Sequence, residues 1–151
     1  MRPLLLILAL SGILGLPAAG QVNMALNQPA ISSGANWGAF TPAALTDGDP
    51  STFVHPADAT GTAGFFYQVD LGGTFRIDRI ALRNRADGCC PERLSNYRVE
   101  IYAAGDDDTG TLVWSAGRRT DGSNSGSGGV DTIDFTQLLS GPQAGRYVRV
   151  V

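Results

Sequence analysis

From Phe65 onward the apolar residues fall in short runs close to a period of two, broken every few positions by glycine. Nowhere do they recur at the spacing of a three-turn amphipathic helix. Tyr97-Arg98-Val99-Glu100-Ile101 alternates cleanly, which puts Tyr97, Val99 and Ile101 on one inward face of a strand. Comparable runs are Phe65 to Leu71, Phe75 to Leu82, Thr111 to Trp114, Val130 to Phe135 and Tyr147 to Val151. Short strands at close spacing with glycine turns predict an all-β sandwich or jelly roll. Twenty glycines and only 17% charged residues agree with that class better than with a helical one.

Finer expectations follow. Met24 to Ala30 is expected to open the domain as an extended edge segment. Ser32 to Pro50 is expected to be loop, with a turn at Asp47-Gly48-Asp49-Pro50. Gly72-Gly73 is expected to be a turn between two strands. Ile77, Ile80 and Leu82 break strict alternation, which predicts a bulge near Asp78-Arg79.

The first twenty residues do not read as part of the fold. Arg2 is followed by an apolar run from Leu4 to Leu16, then by Pro17-Ala18-Ala19-Gly20. A basic start, a short apolar stretch and small residues at the −3 and −1 positions describe a secretory signal peptide cut after Gly20. The run is too short for a comfortable membrane span, which needs about 20 apolar residues. The expected domain is therefore residues 21–151, secreted from the cell.

Composition excludes several function classes. The net charge of −3 does not suggest a nucleic-acid partner, which wants a basic face. His55 is the only histidine, and no G-x-S-x-G elbow is present, so a serine triad has little to work with. One histidine and two adjacent cysteines cannot build an ordinary zinc site. No carboxylate pair stands out among the 14 acidic residues, and the chain is not expected to be an enzyme. Asp106-Asp107-Asp108 reads more simply as a solvated turn than as a calcium site. Asp121 to Gly129 reads as a hairpin tip, with no GxxxxGK[ST] pattern in the chain.

The informative stretch is Asn84-Arg85-Ala86-Asp87-Gly88-Cys89-Cys90-Pro91-Glu92-Arg93. It sets two arginines around two adjacent cysteines in a loop between strands. Consecutive Cα atoms lie about 3.8 Å apart, below the usual disulfide range of about 4.4–6.8 Å. A Cys89–Cys90 bridge would close a small strained ring and constrain almost no chain entropy. It would provide a rigid, apolar, polarizable bump, the kind of platform a flat sugar face needs. Arg85 and Arg93 would flank it as donors to hydroxyls. Asp87 could orient one guanidinium, and the loop carrying His55 could reach the same end of the sandwich. On the residues alone the alternatives stand: two solvated arginines, cysteines that are reduced or joined to another chain, and a surface histidine.

These segments resemble a known family. Asn27-Gln28-Pro29-Ala30, Thr46-Asp47-Gly48-Asp49 and Gln68-Val69-Asp70-Leu71-Gly72 are similar to the N-K-P-A, A-x-D-G-N and W-x-V-D-L-G segments of discoidin or coagulation-factor type C domains. The Arg85-x-Asp87, Cys-Cys, Arg93 combination is similar to the fucose-recognition loop of F-type lectins. The resemblance implies a galactose-binding-domain-like jelly roll that recognises sugar without catalysis. It implies His55, Arg85 and Arg93 as donors to a fucosylated or related glycan, with Cys89 and Cys90 stacking on the ring. It also implies a structural calcium beside Asp47 and Asp49, and avidity from tandem domains or oligomers.

Three features depart from the family pattern. Five residues separate Asp87 from Arg93, one more than usual. The spacing of His55 is unusual. Family domains carry a further strand after the Arg146 to Val151 segment, so the domain is expected to be C-terminally incomplete, with a Val-rich last strand at risk as an exposed edge. The competing functional expectation is a discoidin-like adhesion or targeting module for protein or another glycan, within a larger secreted protein.

Overall fold

The computed structural model describes residues 21–57, 64–105, 110–119 and 126–151. The expected signal peptide, the Asp106-Asp107-Asp108 turn and residues 121–125 of the Gly/Ser loop lie outside these residues. Seven strands are described: β1 (Ala30–Ser32), β2 (Tyr67–Ile77), β3 (Arg79–Arg83), β4 (Val99–Ala103), β5 (Thr111–Ser115), β6 (Val130–Asp134) and β7 (Gln143–Val150). Every pairing is antiparallel. One sheet has the order β1-β2-β7-β4-β5, and a second is formed by β3 and β6. The all-β sandwich expectation holds. No helix among the described residues is long and apolar enough to cross a membrane.

The core lies between the sheets. Leu71, Val99 and Ile101 reach it from the larger sheet, and Ile80 and Ile133 from the smaller. Phe135, Val99 and Ile101 are fully enclosed, and Trp114 meets Phe135 edge-on at 4.7 Å. Enclosing side chains of this size contributes roughly 1.5–3 kcal/mol each. The expected inward face of Tyr97, Val99 and Ile101 is buried as read. Tyr97 also carries a hydroxyl into the interior, where it donates to Asp131 while Arg119 grips both carboxylate oxygens. A buried polar group of this kind costs stability unless it is satisfied.

Several local expectations are corrected. Gly72-Gly73 is not a turn between strands. Instead β2 runs through it, and the register with β7 slips between Asp70↔Tyr147 and Phe75↔Gly145. Four residues of β2 therefore oppose Arg146 alone, and Gly72 takes a φ of +78° that suits glycine. Arg146 closes the bulge with two bonds to Asp70, at 2.7 and 2.8 Å. Those bonds hold the Asp70 carboxyl below its usual range.

The irregularity at Asp78 is not a bulge either. It is the point where the chain leaves one sheet for the other, so Ile77 and Ile80 are both buried from facing layers. At the start of the domain Met24 to Asn27 forms turns, and the edge strand begins only after Pro29. The Val-rich last strand is not an exposed edge. β7 lies in the middle of its sheet, bonded to β2 and β4 on its two sides, so the aggregation premise does not apply to it.

The register also sets which loops meet. Tyr67, Val150 and Val99 stand side by side across β2, β7 and β4. The end of β3 faces the start of β6 through Arg83↔Val130. The loop entering β2, the loop from β3 to β4 and residues 126–129 therefore gather at one end of the sandwich.

Candidate functional site

The β3–β4 loop is braced before it presents anything. Asn84 is buried; its amide nitrogen donates to Pro91 O at 2.8 Å and its amide oxygen accepts from Arg85 N–H at 2.9 Å. The neighbouring segment holds the loop from the side: Gly128 N–H donates to Arg85 O, and Gly88 N–H to the Ser127 hydroxyl. Gly88 and Cys90 both take positive φ, +80° and +54°. Those two left-handed residues reverse the chain into a short 3-10 turn, Pro91–Arg93. Beyond this reversal Arg93 reaches His55.

Arg85 is fixed on two sides. Its Nε and Nη2 donate to the two oxygens of Asp87 at 2.8 and 2.5 Å. Its guanidinium carbon lies 4.3 Å from the centre of the Phe53 ring, a cation–π contact. The Arg85 hydrogen bonds draw the Asp87 carboxyl down to about 2, and Asp87 in turn raises the Arg85 pKa. Asp87 also accepts Cys89 N–H at 3.3 Å. The Arg85 side chain is 14% exposed, and among the described residues no partner takes its Nη1.

Arg93 is exposed, and its Nη1 stands 3.0 Å from Nε2 of His55. A guanidinium can only donate, so Nε2 accepts. The ring proton then belongs on Nδ1, which donates to Pro56 O at 2.6 Å. The geometry thus makes His55 an acceptor in this arrangement, where the sequence reading had it a donor.

Phe53 and His55 lie on the same side of their segment. Phe40 stacks on Phe53 at 4.6 Å and approaches His55 at 6.1 Å. Arg85, through Phe53, and Arg93, through His55, therefore meet the same three-residue stretch from the loop beyond it. Between the two arginines in the chain, Cys89 and Cys90 are joined to each other, with Cα atoms 3.7 Å apart. Cys89 is exposed, so the sulfur ridge is accessible.

The structure thus brings together His55, Arg85, Asp87, Cys89, Cys90 and Arg93. Sequence reasoning did not single out Phe53, Phe40 or Trp37. The Trp37 and His55 rings lie 6.2 Å apart between centres, and the Trp37 backbone N–H donates to His55 O at 2.9 Å. Trp37 and Phe40 within the stretch expected to be loop, and Phe53 just beyond it, were the available signal.

Asp47 and Asp49 belong to a different place. Asp47 accepts Asp49 N–H at 2.9 Å and the Thr52 hydroxyl at 2.7 Å. Asp49 accepts the N–H and hydroxyl of Ser51 at 2.8 and 2.7 Å, which lowers its pKa. An open cleft of about 370 Å³ lies beside this turn, lined by Asp47, Thr52 and the Phe40–Phe53 pair. It includes neither arginine of the cradle. Calcium wants six to eight oxygens. Among the described residues no three acidic, histidine or cysteine side chains cluster, and both carboxylates at this turn already accept hydrogen bonds from their own loop. Alone, these two carboxylates do not complete a calcium shell.

Comparison with known proteins agrees with this architecture. Residues 44–150 match the F5/F8 type C model described as NedA-like, galactose-binding domain. A fucose binding module of Streptococcus pneumoniae superposes with a TM-score of 0.65 at 23% identity, covering 87% of this chain and 84% of that one. Chitosan-binding module 1, from a chitosanase/glucanase of Paenibacillus sp. IK-5, gives 0.60 at 26% identity, covering 86% and 85%. A fucolectin from the serum of striped bass, Morone saxatilis, gives 0.57 at 25% identity, covering 85% of this chain and 42% of that one. No curated protein matches the chain.

Proposed function

The chain belongs to the NedA-like, galactose-binding family of F5/F8 type C domains, and on that premise we propose that it is a sugar-recognition module whose cradle seats a terminal fucose-type ring. The observation that carries this reading is the convergence of Arg85 and Arg93 on the Phe53–His55 segment, with the joined Cys89 and Cys90 between them in the chain. Arg85 Nη1 and Arg93 donate to ring and hydroxyl oxygens. His55 Nε2, freed from Arg93, accepts from a hydroxyl. The sulfur ridge packs against the apolar edge of the ring. Polar donors around a small apolar platform are the usual equipment of a site that orients a ligand.

The chemistry is binding rather than turnover. Asp87 is drawn down to about 2 and committed to Arg85, so it is a poor proton donor near neutral pH. Charge-assisted bonds contribute roughly 1.5–3 kcal/mol each before binding costs. A single small sugar is then expected at about 10 μM to 1 mM, with avidity added by linked or associated copies. Export is part of the same proposal, supported by the leader-like first twenty residues and by a disulfide suited to an oxidising compartment.

The deciding experiment is a glycan array with the wild type and Arg85→Ala. Fucosylated glycans are expected as hits for the wild type and absent for the variant, with the melting temperature kept. Fucose binding that survives Arg85→Ala puts the site elsewhere. A second reading, a module for another glycan, is favoured by the 26% identity to a chitosan-binding module. Hits confined to non-fucosylated glycans would select it.

A further inference from the structure

Trp37 is 59% exposed, although tryptophan is on average a well-buried residue. Single exposed apolar side chains are ordinary and need no explanation. Trp37 differs from Val22 or Leu139, also exposed, in where it stands and how it is held. Its backbone N–H donates to His55 O at 2.9 Å, and its carbonyl accepts from Phe40 N–H at 3.0 Å. Beside it, Asn36 pairs with Pro56 and takes the Tyr67 hydroxyl at 3.0 Å. The backbone under the indole is therefore tied to the His55 segment, and the neighbouring Asn36 side chain to Tyr67 at the start of β2. The indole plane is tilted 55° from the imidazole, with centroids 6.2 Å apart. It forms a flat apolar wall next to the cradle, outside the hydrogen-bonded network of Arg85 and Arg93.

We propose that Trp37 is the platform for a second sugar ring. The indole takes the apolar face of a pyranose linked to the terminal ring seated at His55, Arg85 and Arg93. The module then reads the end of an oligosaccharide rather than a free monosaccharide. This rests on the reading of the cradle as a sugar site. A tryptophan suits the task because it offers large rigid area with only two side-chain torsions to immobilise. Its indole N–H adds one directed donor at the rim.

The test is calorimetric titration of wild type, Trp37→Phe and Trp37→Ala with methyl α-L-fucoside and with 2′-fucosyllactose. The wild type is expected to prefer the trisaccharide by about tenfold. Trp37→Ala should lose that preference while holding the monosaccharide affinity within about twofold, with Trp37→Phe between them. Tryptophan emission should shift to the blue when the wild type binds the trisaccharide, and not in Trp37→Ala. The platform is overturned if Trp37→Ala keeps the wild-type affinity for the trisaccharide, or if both affinities fall together. Wild-type protein that binds neither sugar overturns the cradle and the platform with it, an outcome distinct from the loss of preference alone.

Discussion

Arg93 Nη1 donates to His55 Nε2 across 3.0 Å, joining residues 38 positions apart in the chain. The contact occupies the two groups that the proposed sugar would use. A ligand hydroxyl bridging them would replace one hydrogen bond by two.

His55→Ala and Arg93→Ala are each expected to weaken fucoside binding by about 10- to 100-fold. The double variant should lose less than the two losses combined, because each single change already disables the shared contact. Calorimetry on the four proteins checks this. Simple additivity would show that the two side chains do not work on one ligand.

Asp87→Ala should lower affinity by about tenfold, because Arg85 then keeps only Phe53 to orient it. The pH dependence has a definite sign. The folded pKa of Asp87 is depressed from 3.8 to about 2. Its contribution is therefore complete above 3.8 and is lost as pH falls from there through about 2. Carbon NMR of the Asp87 carboxyl should titrate below the ordinary aspartate range. A midpoint near 3.8 would mean that the Arg85 clamp is not formed in solution.

Reduction of Cys89–Cys90 should affect binding more than stability. Bridging neighbours removes almost no loop entropy from the unfolded chain, so the melting temperature should change little. The ridge, however, loses its shape, and fucoside affinity should fall. Paired thermal melts and titrations with and without reductant measure both. A large drop in melting temperature with unchanged affinity would assign the bridge to the fold instead.

Calcium or a chelator should leave the melting temperature within about 1 °C, since a ligand that bound the folded state alone would raise it. Asp47 and Asp49 already accept hydrogen bonds from Thr52 and Ser51. A calcium-dependent rise would mean that these carboxylates turn outward and find further oxygen ligands.

The fold class was legible because period-two patterning survives in Tyr97, Val99 and Ile101 whatever the loops do. The arginine pair and the cysteines were legible because they lie within one loop. What escaped was non-local. Gly72-Gly73 looks alike as a turn and as a bulge, and only the grip of Arg146 on Asp70, 76 positions away, distinguishes them. Phe53 supports Arg85 from a different loop, and Trp37 is placed by a backbone bond to His55. No spacing rule within one segment reports such contacts.

β7 is the last strand described, yet it is bonded on both sides. Until that segment has been synthesised, β2 and β4 have no common neighbour. The larger sheet is complete only once β7 has joined β2 and β4, through pairings between residues far apart in the chain. Such topologies fold slowly for their size. β7 is thus the strand that unites two pairs, β1-β2 and β4-β5, into one sheet.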